Sequence, residues 1–318
     1  MSRLLPMDVC IEAMRDALRA TARGEVLLPL RQVVLLPDQL GALAAMPAYA
    51  GPQGIGVKVI TVFPGNRGTA FDSHQGAVLL FHGAHGCLQA VIDASEVTAI
   101  RTAAVSAVAT QLLAREDAGD LALLGSGVQA RTHLAAMRAV RPIRRVRVWS
   151  PTAAHRAAFA AAQGVEAVDT AEAAVRGADL VCTVTASRTP VLEGAWLMPG
   201  AHINAVGASL PAARELDTAA VRRARLFVDR RESTLHEAGD FLTAKSEGAI
   251  GDDHILGELG DLLLGTAPGR ASPDDITLFK SLGLAVEDLA AARVIYDRAQ
   301  AAGLGTRVPF DGDRHGTD

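Results

Sequence analysis

Residues 7–22 (MDVCIEAMRDALRATA) place apolar side chains at helical spacing, and Gly24 follows as a stop. Short extended runs come next, at residues 31–36, 42–46, 57–63, 77–81 and 88–92. Prolines 29, 37, 47, 52 and 64 and the pairs Gly65-Asn66 and His82-Gly83 punctuate them. Strands in succession without intervening helices predict a mostly antiparallel sheet. From residue 96 to 114 the pattern turns helical and rich in Ala, Ser and Thr. Beyond Asp117-Ala118-Gly119 it changes to strand–helix alternation. Strands are expected at 121–124, 146–149, 165–168, 180–184, 201–206 and 226–229, with helices between them, including one at 153–163. Such alternation predicts a parallel doubly wound sheet. An amphipathic helix over 284–304 is expected to return and cover the N-terminal lobe, and the last eight residues read as a loose polar end. The fold class expected is therefore α/β, with a parallel-sheet domain at 116–285 inserted into an α+β lobe formed by 1–115 and 286–318.

The length of 318 residues suits two lobes. With 49% hydrophobic and 21% charged residues the composition is that of a globular protein, not a disordered one. Thirty-one Lys and Arg against 35 Asp and Glu leave a net charge of −4, which argues against nucleic acid as a partner. Cys10, Cys87 and Cys182 are odd in number and far apart, so they are expected as buried packing residues in a reducing compartment. No apolar run approaches the roughly 20 residues of a membrane span, and the N-terminus lacks a signal-peptide core. The expectation is a cytoplasmic protein without a membrane partner.

Chemistry enters at residues 121–130, LALLGSGVQA. A buried strand meets a Gly125-x-Gly127-x-x-Ala130 turn that opens a helix, the pattern of a dinucleotide pyrophosphate site: Gly125 allows the turn, Gly127 lets phosphate touch backbone, and Ala130 lets helix and strand approach. An acid about 20 residues after the turn would hold the ribose of NAD. Ser150 stands there instead, with Thr152 nearby and His155 or Arg156 able to add charge. That favours NADPH, with NADH possible; in the competing view Arg156 is only a solvated helix charge.

Lys58 lies in the apolar run GIGVKVITVF, where both faces look buried. An ammonium there needs a partner or a task such as proton transfer; the alternative is an edge-strand lysine reaching water. Arg31 poses the same question, and Arg101 opens a helix of small residues where it can grip a carboxylate or phosphate. Together the three point to a small anionic substrate. His82 and His85 lack a third ligand nearby, so a hairpin loop is expected and no metal. The five arginines between Arg138 and Arg147 are expected around a helix C-terminus.

Over almost its whole length the chain resembles the ornithine cyclodeaminase/mu-crystallin family. The resemblance rests on Met46-Pro-Ala-Tyr49, Lys58, Ser73-His-Gln75, Arg101-Thr-Ala-Ala-Val-Ser-Ala107, Gly125-x-Gly-x-Gln-Ala130, His202-Ile-Asn-Ala-Val-Gly-Ala208, Arg214-Glu-Leu-Asp217 and Phe279-Lys-Ser-Leu-Gly283. It implies a homodimer in which a Rossmann domain is inserted into a substrate-binding and dimerising lobe. It also implies that Arg31, Lys58 and Arg101 hold the substrate carboxylate, with Lys58 at the reacting carbon and Met46, His74 and Ser209 in the substrate pocket. The cofactor would be taken by Arg101, Thr102, Gly125, Ser126, Gly127, Val128, Gln129, Ser150, Thr152 and Arg156, with Thr185, Val206 and Ser281 lining the nicotinamide. Cyclodeaminases and related alanine dehydrogenases carry an aspartate two residues after the Val-Gly pair; this chain has Ser209. The departure tilts the expected activity toward NAD(P)H-dependent reduction of cyclic ketimines (Δ1-pyrroline-2-carboxylate or Δ1-piperideine-2-carboxylate) to L-proline or L-pipecolate. Amino-acid deamination, or an idle carboxylate binder, are the alternatives.

Overall fold

The computed structural model describes residues 3–66 and 68–308; the polar end expected over the last eight residues lies outside them. In chain order come α1 (Met7–Ala22), β1 (Gln32–Leu35), β2 (Ala42–Tyr49), β3 (Ile55–Val62), β4 (His74–Phe81), β5 (Leu88–Asp93) and α2 (Ala94–Leu113). There follow β6 (Asp120–Leu124), α3 (Val128–Val140), β7 (Arg145–Trp149), α4 (Ala153–Gln163), β8 (Glu166–Ala167), α5 (Ala171–Val175), β9 (Leu180–Thr183) and β10 (His202–Ala205). The remainder is α6 (Thr218–Arg223), β11 (Arg225–Val228), α7 (Arg231–Glu237), α8 (Gly239–Ser246), β12 (Ile255–Glu258), α9 (Leu259–Leu264), β13 (Thr277–Lys280) and α10 (Ala285–Ala301). Two compact units result: Met1–Arg101 with Leu284–Asp318, and Thr102–Gly283. The division falls inside α2, not at the expected residue 115, because that helix is continuous through the change of unit.

The first unit is an antiparallel meander in the order β1-β2-β3-β4-β5. Alternation sends Met46, Lys58, Val78 and Ile92, which are in register across four strands, to one face. All four are buried there. Helix α10 packs on β2, β3 and β4, and α1 packs on α10. Pro47, expected to end a strand, sits within β2. The β1 ladder stops at Ala45 and pairing on that side resumes only at the Leu27–Tyr49 bridge, so the missing N–H falls in the gap. Helix α10 returns as expected, but it is not half-solvated: residues 285–292 are all buried, including Glu287 and Asp288. The close approach runs through Gly56, where an added Cβ would meet Leu289 Cδ1 at 3.0 Å and Cβ at 3.1 Å.

The second unit is an eight-stranded sheet, β12-β11-β13-β10-β9-β6-β7-β8, with parallel pairing throughout. The order runs outward from β6 in both directions, the doubly wound arrangement expected from the alternation. Val181, Ile203, Leu226, Phe241 and Leu278 form part of its core. Strands β12 and β13 were not expected: β12 (ILGE) is interrupted by Gly257 and β13 (TLFK) ends in a lysine, so neither reads as an apolar run. The arginine run also takes specific places. Arg141 donates to the carbonyls of Thr110 and Ala114 at the end of α2, and Arg147 donates to those of Ala173 and Arg176 at the end of α5. Arg141 also donates to Val140 O at the end of its own helix, α3. His82 Nδ1 accepts the N–H groups of Ala84 and His85, closing the β4–β5 loop, and Cys87 in that loop is exposed where burial was expected. Among the described residues no helix is long and apolar enough to cross a membrane.

Replacing Gly56 by Ala drives a methyl group into Leu289 and is expected to lower stability by about 1–3 kcal/mol, the range for overpacking a tight core. Thermal unfolding of Gly56→Ala against wild type measures it.

Candidate active site

Strand β3 is the central strand of its sheet, so Lys58 has no edge from which to reach water. Its side chain is 2% exposed, and its ammonium lies 2.7 Å from Asp288 Oδ2 on α10. Arg101, the last residue of the first unit, donates from Nε to Asp288 Oδ1 (2.9 Å) and from Nη1 to Glu287 Oε2 (2.9 Å). Two cations and two carboxylates are thus interlocked in a buried place. Losing one member of such a set leaves an uncompensated buried charge, at a cost of about 3–5 kcal/mol.

The balance of burial and charge sets the proton affinities. Burial pulls Lys58 down to about 8; Asp288 works against that, and Arg101 and Arg31 add to it. Burial opposes charge on Asp288 as well, but Arg101 and Lys58 outweigh it and hold the carboxyl below its usual range. His74 faces the same side of the sheet as Val78, and burial, then Lys58 and Arg101, keep it below the usual histidine value. Met46 flanks Lys58 in register on β2. Arg31, just before β1, is close enough for its charge to act on Lys58. Cys10 on α1 adjoins the cluster, and burial raises its thiol to about 12, so it stays protonated.

Four of the expected substrate residues, Arg31, Met46, Lys58 and His74, therefore gather with Arg101 in one unit. Glu287 and Asp288 were missed. Their signal was available: an adjacent Glu-Asp pair in a run of Ala, Val and Leu, in a chain whose buried cations demanded partners.

In the second unit, β6 ends in the turn Gly125-Ser126-Gly127 and α3 begins. Gly125 has φ +122° and an added Cβ would lie 2.8 Å from Val184 O, so only glycine fits. Gly127 is different: it is the α3 N-cap, no side chain caps the helix there, and a Cβ would meet nothing within 4 Å. The space above the first N–H groups of α3, from Val128 and Gln129 onward, is open. This is the fit a pyrophosphate requires, and those N–H groups would hold it. Ala130 is fully buried at the helix–strand contact.

At the end of β7, Ser126 Oγ donates to Ser150 Oγ (3.0 Å). Arg156 Nη1 donates to Ser150 O (3.2 Å), and its Nη2 lies 2.5 Å from Asp169 Oδ1. Arg156 is therefore tied to this corner through Ser150 and Asp169. Asp169 was also missed, since it follows β8 and the fingerprint looks for an acid on the preceding strand. Its side chain is 94% exposed, so its grip on Arg156 is weak and exchangeable. Thr152 is exposed beside Ser150. Val206 and Ser281 directly follow β10 and β13 at the carboxyl edge of the sheet, Thr185 lies two residues beyond β9, Ser209 lies in the loop after β10, and Thr102 is buried in α2.

The model of the ornithine cyclodeaminase/mu-crystallin family matches residues 1–303. The chain belongs to that family. It is 44% identical over 277 residues to the ketimine reductase mu-crystallin of Mus musculus, covering 86% of each chain. Among solved structures it resembles the Δ1-pyrroline-2-carboxylate reductase of Thermococcus litoralis in complex with NADH and L-proline, with TM-score 0.93 and 35% identity over 97% of this chain and 98% of that one. It also resembles an archaeal alanine dehydrogenase dimer with bound NAD, with TM-score 0.92 and 32% identity over 97% and 96%.

Proposed function

We propose that this enzyme, a nicotinamide-dependent oxidoreductase, reduces five- or six-membered cyclic imines bearing a carboxylate, Δ1-pyrroline-2-carboxylate or Δ1-piperideine-2-carboxylate, to L-proline or L-pipecolate. The observation that carries the reading is the Lys58–Asp288 pair: a buried ammonium, poised near 8, within a group of cations suited to a small anion. When bound, the nicotinamide supplies the hydride. Arg31 and Arg101 anchor the substrate carboxylate, Arg101 being oriented by Glu287 and Asp288. As the imine carbon gains hydride, the C=N π pair moves onto nitrogen, which takes a proton from Lys58 Nζ; water then restores the ammonium. Met46 and His74 border the ring, and Ser209 offers a hydroxyl to the substrate. The relatives named above, a ketimine reductase and a Δ1-pyrroline-2-carboxylate reductase, support the reading.

NADPH is the proposed cofactor, with NADH as a possible substitute. Ser150 stands where a carboxylate would repel a 2′-phosphate, and Arg156 is at hand to pair with one, exchanging the exposed Asp169 for it. The chain is further proposed to act as a homodimer. On the sheet face opposite Lys58, the row Pro47, Val57, Leu79 and Val91 crosses four strands without a buried member, and Leu43 and Tyr49 extend it. An apolar face of this kind calls for a partner, and a second copy of the same face satisfies it.

The following outcomes are expected. Purified protein oxidises NADPH, followed at 340 nm, with either cyclic imine. Its kcat/KM falls as pH rises through about 8, because reduction needs the protonated lysine; Lys58→Met loses about 10²–10⁴-fold while remaining folded. No turnover with either imine, but NAD+ reduction by L-alanine or ammonia release from ornithine, overturns the substrate reading. In the same assay Arg156→Ala lowers kcat/KM for NADPH by about tenfold or more, the worth of one charge-assisted hydrogen bond, and leaves NADH nearly unaffected. Sedimentation velocity is expected to give the mass of two chains, and Leu79→Glu to give one.

A further inference from the structure

One buried ionic cluster takes no part in the steps above. Glu215, wholly buried, accepts the N–H of Thr185 on Oε1 (2.6 Å) and, on Oε2, the Thr183 hydroxyl (2.8 Å) and the N–H of Gly207 (2.6 Å). Asp240 on α8 accepts the N–H groups of Glu215 (2.8 Å) and Leu216 (2.9 Å) on Oδ1, and its Oδ2 lies 3.1 Å from Lys280 Nζ. Lys280 ends β13, and its side chain is 1% exposed. Next to it, Ser281 donates its N–H to Ala205 O on β10 (2.9 Å).

The position of this cluster in the sheet gives it meaning. In a doubly wound sheet the dinucleotide lies across the carboxyl ends of the strands, phosphates at the first turn and one nucleoside on each side of the switch point. Here the switch point separates β6-β7-β8 from β9-β10-β13. The adenosine belongs to the side of Ser150 and Arg156, which leaves the nicotinamide with β9, β10 and β13. The segments leaving those strands, Thr185, Val206-Gly207 and Ser281, are the ones that Glu215 and Lys280 tie together. Gly207 has no room for a side chain: a Cβ would lie 2.0 Å from Thr185 O and 2.5 Å from Glu215 Oε1.

We propose that Lys280 is a positioning residue for the nicotinamide half of the cofactor, acting through Asp240 and Glu215 to hold the three loops that border it. This rests on the nicotinamide-dependent reading above. Two buried carboxylates need the ammonium between them. Burial already raises the Glu215 carboxyl above its usual range, with Lys280 opposing that and Asp240 reinforcing it. Without the lysine, the charge that opposes this rise is gone and Asp240 faces Glu215 uncompensated, which loosens the hold of the carboxylate on Thr185 and Gly207. The adenosine side of the sheet has no bond to the cluster and keeps its shape.

The test compares two ligands in the full-length protein by calorimetry: NADPH, and adenosine 2′,5′-bisphosphate, which lacks the nicotinamide half. In Lys280→Met the Kd for NADPH is expected to rise by about tenfold or more, while that for the bisphosphate stays within about twofold and Lys280→Arg recovers part of the loss. Equal weakening of both ligands, or of neither, overturns the proposal. Should Lys280→Met fail to fold, Glu215→Gln, which leaves one carbonyl oxygen where the carboxylate offers two acceptors to Thr183, Thr185 and Gly207, is expected to give the same split, and equal effects there overturn it. Wild-type protein that binds NADPH with this split in its variants but does not reduce imines leaves the positioning role standing and removes only the substrate reading.

Discussion

Two cations buried against two carboxylates are the constraint on which the first unit is built. Lys58 on β3 and Arg101 on α2 are out of water, where a charge without a counter-charge is costly. Their counter-charges, Glu287 and Asp288, come from α10, near the other end of the chain, with Arg101 and Asp288 separated by 187 positions. The return of the C-terminal helix is therefore an electrostatic requirement as much as a hydrophobic one. Gly56 and the small residues of α10 let that helix come close enough for the pair to form. Replacing the network by apolar side chains would be near neutral for stability in general, so a site for an anion is the better reason for keeping so many charges there.

The second unit solves a different problem with backbone groups. Its carboxyl edge presents N–H groups and hydroxyls more than charges: the open helix start after Gly127, the paired Ser126 and Ser150, and the loops gathered by Glu215. Formal charges remain one layer back, Arg156 tied to Asp169 and Lys280 to Asp240. Polar groups held by such partners keep their direction without a side chain having to be ordered on binding.

Much of this was legible in the chain. Helix 7–22, the antiparallel run before residue 94 and the strand–helix alternation after 117 all follow from periodicity, and the glycine turn announced a dinucleotide. Lys58 and Arg101 stood out because charge in an apolar run is costly, and their surroundings are as apolar as the pattern implied. The acidic pair in the apolar run of α10 was the available signal for their partners, but across 187 positions no local spacing joins it to Arg101. Asp169 escaped for a similar reason, lying one strand beyond the place where the fingerprint looks. The arginines after Arg138 were read against their own helix; Arg141 reaches its last carbonyl but also those of α2, and Arg147 reaches those of α5. Strands β12 and β13 escaped because a glycine interrupts the first and a lysine ends the second, whereas the equally short β9 and β11 each hold three apolar residues in a row.

The most direct measurement is a titration of the Lys58 side chain itself, by NMR of protein carrying labelled lysine, with Lys58→Met to assign the resonance and Asp288→Asn as the perturbation. A midpoint near 8 in the wild type is expected, well below the ordinary lysine value of 10.5, and a lower one in Asp288→Asn, where the carboxylate that holds the proton is gone. A wild-type midpoint at or above 10.5, or one unmoved by Asp288→Asn, would contradict a buried, carboxylate-held proton donor at this position.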